Sequence, residues 1–92
     1  MYNNQSSKYS LRGQVRTKEK HKGIPNAALS IVGDSPAHYD IAYITNNNGE
    51  YNIRGLSRGQ YTIQVNAEGY PPKRKHIVVK DIQAEQVLDF FL

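Results

Sequence analysis

Residues 49–70 read GEYNIRGLSRGQYTIQVNAEGY, with glycine at 49, 59 and 69 and a tyrosine soon after each, at 51, 61 and 70. Within this stretch Tyr61, Ile63, Val65 and Ala67 alternate with Gln60, Thr62, Gln64 and Asn66. That period of two is the signature of a strand with one face on a core. Tyr51 and Ile53 carry the same alternation in the preceding segment, and Leu56 caps its end. The glycines therefore punctuate strands, and their spacing of ten residues reads as the rhythm of hairpins. The segments after Gly49, Gly59 and Gly69 share nothing beyond the spacing, so it marks no internal repeat.

The pattern extends outward in both directions. SLRGQVRT, from Ser10, sets Leu11, Gly13 and Val15 on one face, and KEKHKGIPNA follows as a charged loop closed by Gly23 and Pro25. Ala27, Leu29 and Ile31 form a second apolar face, broken by DSPAH with Pro36. YDIAYITN reads as a third strand that ends at NNNG, where Asn and Gly suit a tight turn, and a hairpin into EYNIRG is the natural expectation. Two prolines in GYPPKRK predict a loop or an edge before HIVVKD. EQVLDFFL closes the chain with Leu88, Phe90 and Leu92 on one side and Val87, Asp89 and Phe91 on the other. Short strands at this spacing predict an all-β fold, a seven-stranded antiparallel Greek-key sandwich of transthyretin-like or immunoglobulin-like type. Its interior is expected to hold Leu29, Ile31, Ile53, Tyr61, Ile63, Val65, Leu88 and Phe90.

A chain of 92 residues supports one domain with a small core. Residues 1–9 are expected to be a polar N-terminal tail and residues 10–92 the domain. The opening MYNNQSSKYS has no apolar run of the kind an uncleaved secretory signal carries, and no segment approaches the roughly 18 apolar residues of a membrane span. Cysteine is absent, which excludes disulfides and thiolate metal sites. The formal charge of +4 suits solubility, and the basic residues lack the interleaved aromatics of a stacking platform, which argues against nucleic acid as a partner.

GQV near the start, GIPNAALSIVG, TNNNGEYNIRGLSRGQYTIQVNAEGY and the final LDFFL together resemble the carboxypeptidase regulatory-like domain, a transthyretin-like (prealbumin-like) β-sandwich, over about residues 10–92. The chain departs from the family's usual pattern at Asn46, where Asp is common, and at Ser57 and Arg58, where prolines are common. The resemblance implies a non-catalytic accessory module, found beside carboxypeptidases, at the start of nutrient-uptake receptors and in bacterial surface proteins. It suggests an extracytoplasmic or cell-envelope setting. Gly49, Tyr51, Leu56, Gly59, Tyr61, Gly69 and Tyr70 would then be structural, and the spacing of Leu56 and Tyr61 suggests a tyrosine corner, with the Tyr61 hydroxyl bonded to a backbone group a few residues upstream. Transthyretin-like hydrolases of a urate product end in a tyrosine-arginine-glycine-serine tail, whereas this chain ends DFFL.

Candidate chemistry is sparse. Asp34, Ser35, His38 and Asp40 crowd one stretch, yet a triad needs rigid placement that a single loop between strands does not give, so a polar loop is the better reading. His21, His38 and His76 lack metal-ligand spacing, and TNNNGE lacks the alternating carboxylates of a calcium loop. No metal or cofactor is expected. A lysine–asparagine isopeptide bond assisted by Glu68 or Asp89 is disfavoured because no lysine lies on the apolar face of the first strand. Lys73, Arg74 and Lys75 are expected to splay positive charge along an exposed edge, as a guard against strand pairing or as a partner contact. Tyr39 and Tyr43 are the candidates for stacking on sugar. The expected partner is another protein or a neighbouring domain of a parent chain, with carbohydrate as the alternative. The oligomeric state stays open, since an exposed edge can pair or be guarded.

Overall fold

The computed structural model describes residues 9–33, 42–80 and 85–92. Among these residues eight strand segments follow one another: β1 (Tyr9–Arg16), β2 (Ala28–Val32), β3 (Tyr43–Ile44), β4 (Glu50–Leu56), β5 (Gly59–Asn66), β6 (Lys73–Val79), β7 (Glu85–Val87) and β8 (Phe90–Phe91). They form two sheets, one in the order β4-β1-β7 with β8 also on β1, the other in the order β3-β2-β5-β6. The two layers enclose Leu11, Val15, Leu29, Ile53, Ile63, Val65 and Phe90, each wholly buried, with Tyr51 and Tyr61 among them. Ile31 and Leu88 are half-buried and packed against this core. Burial of this kind removes apolar surface from water on both inner faces, which is what holds two such layers together.

The fold departs from the expected one in four respects. β1 begins at Tyr9, assigned to the polar tail by sequence, and that side chain is buried among the core residues. The NNNG turn does not close a hairpin: β3 pairs with β2, whereas β4 pairs with β1 in the other sheet. The chain likewise changes sheet between β4 and β5, so of the three glycine turns only the one at Gly69, between β5 and β6, closes a hairpin. Finally, the sandwich is not wholly antiparallel, because β7 and β8 run parallel to β1.

The expected last strand is split in two, and Gly13 explains where. A β-carbon at Gly13 would stand 1.9 Å from the Leu88 carbonyl oxygen, so the missing side chain lets residue 88 lie against β1. The Leu88 N–H donates to the Arg12 carbonyl (2.9 Å), but the Gln14 N–H finds the Asp89 carboxylate (2.8 Å) instead of a main-chain oxygen. A side chain thus replaces one rung of the ladder, and pairing resumes at Val15 and Phe90.

Asn46 builds the turn between the sheets. Its Oδ1 accepts from the N–H groups of Asn48 and Glu50, both at 2.9 Å, and its main-chain oxygen accepts from Gly49 (2.9 Å). Only an acceptor oxygen is needed there, which asparagine supplies as well as aspartate does. The asparagine amide also donates to the Glu50 carboxylate (2.9 Å). At the second change of sheet, the Tyr61 hydroxyl donates to the Ser57 carbonyl four residues upstream (2.8 Å). Tyr61→Phe keeps the packed ring and strands that carbonyl, so thermal denaturation is expected to show a loss of about 1 kcal/mol. An unchanged melting temperature would mean that the bond does no work at the corner.

Candidate functional site

Lys73 and Lys75 do not reach outward with Arg74. β6 is an edge strand, and its odd-numbered residues point toward the interior with Ile77 and Val79. The Lys75 ammonium donates to the Asp89 carbonyl (2.8 Å) and lies 5.7 Å from the Phe90 ring centroid; the Lys73 ammonium donates to the Phe91 carbonyl (2.9 Å). Both side chains lay their methylene stems along the core and hold the last segment from the opposite sheet. Arg74 alone projects from the outer face, where its Nε donates to the Gln64 side chain (2.6 Å). The charged trio is therefore divided between the two faces of the strand.

The same segment takes a third lock from Tyr51, whose hydroxyl donates to the Leu88 carbonyl. Burial, with the nearby Asp89 charge as the smaller cause, pushes the Tyr51 hydroxyl well above the usual tyrosine range. The folded chain thus keeps a proton that the unfolded chain releases near pH 10, and the stability tied to it is present below that pH and lost as pH rises beyond it.

On the outer face of the first sheet lies an open depression of about 580 Å³. Arg12, Gln14 and Arg16 of β1 form its floor, Glu50 and Asn52 of β4 one flank, and Val87 and Asp89 the other, with Ile44 at the rim. Arg12 pairs with Glu85 (3.0 Å) and Arg16 with Asp89 (3.7 Å), and Arg16 also meets the Gln14 side chain and the Phe91 ring. Val87 and Ile44 are each 55% exposed, two apolar side chains beside paired charges. Sequence reasoning did not single out this face. The signal was nevertheless there, in the polar positions that alternate with the core residues of β1 and β4.

The remaining candidates are dispersed. Tyr39 lies outside the described residues, as do Asp34, Ser35, His38 and Asp40. Tyr43 is half-buried on β3, opposite Leu29 and against the core, which leaves it little face for stacking. His21 packs on Phe91 (centroids 5.3 Å apart), while His76 lies on the second sheet beside Thr62 (3.3 Å). Among the described residues no three His, Cys, Asp or Glu side chains gather as metal ligands do, and no helix is long and apolar enough to cross a membrane. Gly49 and Gly69 take turns at positive φ, Leu56 is buried, and Tyr70 lines a shallow second depression with Thr17, Lys18, Glu19, Lys20 and Leu92. Gly59 opens β5.

Comparison with solved structures finds the same sandwich elsewhere. A candidate carbohydrate-binding protein from Bacteroides uniformis matches over 92% of this chain and 41% of its own, with a TM-score of 0.69 and 18% identity. A chain of a type II cohesin–X-dockerin complex from Acetivibrio cellulolyticus matches over 89% and 52%, with a TM-score of 0.58 and 18% identity. Fervidolysin from Fervidobacterium pennivorans, a keratinolytic enzyme related to subtilisin, matches over 96% of this chain but only 17% of the enzyme (TM-score 0.62, 15% identity). The chain thus spans about half or less of the length of these proteins. None of the curated proteins matches it by sequence. The pattern of the carboxypeptidase regulatory-like domain, in contrast, matches residues 10–92. With the sandwich and nine-tenths of the sequence in agreement, the chain belongs to the carboxypeptidase regulatory-like domain family.

Proposed function

We propose that the chain is a non-catalytic accessory module that spaces or docks a larger protein or assembly, using the outer face of its first sheet. The observation that carries this reading is where the reactive side chains are spent. Among the described residues Tyr51, Lys73 and Lys75 each bond a carbonyl of residues 88–91, and Asp89 caps the Gln14 N–H, so these four groups serve the fold. What faces solvent is a shallow surface of neutralised charge with exposed Val87 and Ile44, the mixture found at non-obligate protein contacts. The solved relatives support a module within longer chains, and the cohesin–dockerin assembly among them supports a protein partner.

A photoreactive residue at position 87, with position 62 on the other sheet as control, tests this in cells that make the protein. One discrete protein adduct from position 87 alone is expected. Retention in polysaccharide gels that is lost in Tyr43→Ala, with no adduct from either position, would replace the proposal with a carbohydrate-binding module.

A further inference from the structure

Asn48 is the one asparagine of the chain that is followed by glycine. That pairing carries a chemistry of its own. The glycine nitrogen, with no β-carbon beside it to block the approach, can attack the side-chain carbon of the asparagine. It gives its proton to hydroxide, a ring closes between it and Asn48 Cγ, and the side-chain nitrogen leaves as ammonia. Water then opens the ring at either carbonyl. One opening yields aspartate. The other yields isoaspartate, in which the main chain runs through Cβ and Cγ and is longer by one carbon.

The fold leaves one reactant open and closes the other. The Asn48 side chain is exposed and makes no hydrogen bond among the described residues. Gly49 is buried, and its N–H donates to the Asn46 carbonyl (2.9 Å), out of reach of hydroxide. The peptide between them is gripped on every side. The Asn48 N–H donates to Asn46 Oδ1 (2.9 Å), the Asn48 carbonyl accepts from Gln14 Nε2 (3.1 Å), and the Gly49 carbonyl accepts from the Val15 N–H (2.8 Å). Gly23 lies so close that a β-carbon on it would stand 2.0 Å from the Asn48 oxygen. Ring closure draws the Gly49 nitrogen off the Asn46 carbonyl and leaves it without a proton, so it forfeits that bond outright.

We propose that Asn48 and Gly49 form a self-modification site, with water as co-reactant, that the folded chain keeps closed and that opening of the sheet crossing releases. The rate in the folded chain is then the unfolded rate multiplied by the fraction of time the turn stands open. Unfolding leaves a permanent mark. The aspartate product keeps the path of the chain and refolds. The isoaspartate product carries its extra carbon into a segment pinned by Asn46, Gln14 and Val15 and packed on Gly23, so it does not return to this turn.

Peptide mapping by mass spectrometry, on the 92-residue chain held in mildly alkaline buffer with and without denaturant, tests this. In denaturant, exchange of ammonia for water at Asn48 is expected to run at least about a hundredfold faster than in buffer alone. Gln14→Ala, which frees the Asn48 carbonyl, is expected to speed the folded reaction about fivefold and to leave the denatured rate unchanged. Asn48→Ser removes the reacting carbon and is expected to abolish the exchange in that peptide. Refolding gives a second readout. The fraction that regains the native circular dichroism is expected to fall with time spent in denaturant for the wild type and to stay constant for Asn48→Ser. Equal rates with and without denaturant, a folded rate that Gln14→Ala does not move, or a refolding loss shared by Asn48→Ser would each overturn the proposal.

Discussion

Replacing Gly49 with alanine is expected to destabilise the chain by at least about 3 kcal/mol, a large fraction of the 5–15 kcal/mol that holds a domain of this kind together. Two costs combine at this position. The backbone has φ +78°, a conformation that costs an L-residue about 1–2 kcal/mol. A β-carbon there would also stand 2.4 Å from the Val15 oxygen, 2.7 Å from the Ile24 nitrogen and 2.8 Å from the Gly23 α-carbon. All three are main-chain atoms, and Val15 and Ile24 are bonded to each other at 2.8 Å, so none can turn aside as a long side chain would. Gly69 separates the two costs: its φ is +88°, but nothing lies within 4 Å of the position a β-carbon would take. Gly69→Ala is therefore expected to cost only the conformational part, about 1–2 kcal/mol. Thermal denaturation followed by circular dichroism reads the difference, at about 4–8 °C per kcal/mol for a domain of this length. Equal losses for the two variants would show that the sheet crossing is not packed as tightly around Gly49 as described.

That contrast also marks how far the sequence could be read. Alternation tells which face of a strand is buried, and Leu29, Ile53, Tyr61, Ile63, Val65 and Phe90, which it points inward, are buried. It does not tell which strand lies alongside. An Asn-Gly turn suits a hairpin and a change of sheet equally, because both need a tight reversal, and the choice is made by contacts distant in sequence. The parallel pairing of β7 and β8 with β1 was illegible for the same reason, joining the two ends of the chain.

Lys73 and Lys75 present a different case, since their parity with Ile77 and Val79 was visible and pointed inward. Charge and the two prolines argue for an exposed loop or edge, and β6 is an edge strand, but a lysine there can send its stem along the core and its ammonium to a carbonyl. The three unpaired-looking carbonyls of residues 88, 89 and 91 supply the acceptors, and these exist only once the last segment has docked. The site on the outer face of the first sheet was legible only as polar positions. Its concavity comes from β7 and β8 lying beside β1.

Phe90→Ala is expected to cost about 3–5 kcal/mol, the range for truncating a buried phenylalanine, and to loosen the whole end of the chain. Phe90 is wholly buried, its ring lies 6.4 Å from that of Tyr51, and the Lys75 ammonium is 5.7 Å from it on the side of the other sheet. β8 has only two residues paired with β1, so the ladder alone holds it weakly and the ring is its anchor. Once the ring is gone, the carbonyls of Leu88, Asp89 and Phe91 lose their fixed positions opposite Tyr51, Lys75 and Lys73. Amide exchange at Leu88 and Leu92, which donate to Arg12 and Arg16, is accordingly expected to quicken more than exchange in β2 or β5. Val87→Ala, with that side chain 55% exposed, is expected to change stability by no more than about 0.5 kcal/mol. Phe91 turns to the outside, against His21 and Arg16, so Phe91→Ala is expected to fall between the two. A larger loss from Phe91 than from Phe90 would mean that the segment docks with the opposite face inward, and the three carbonyl locks would then have no partners.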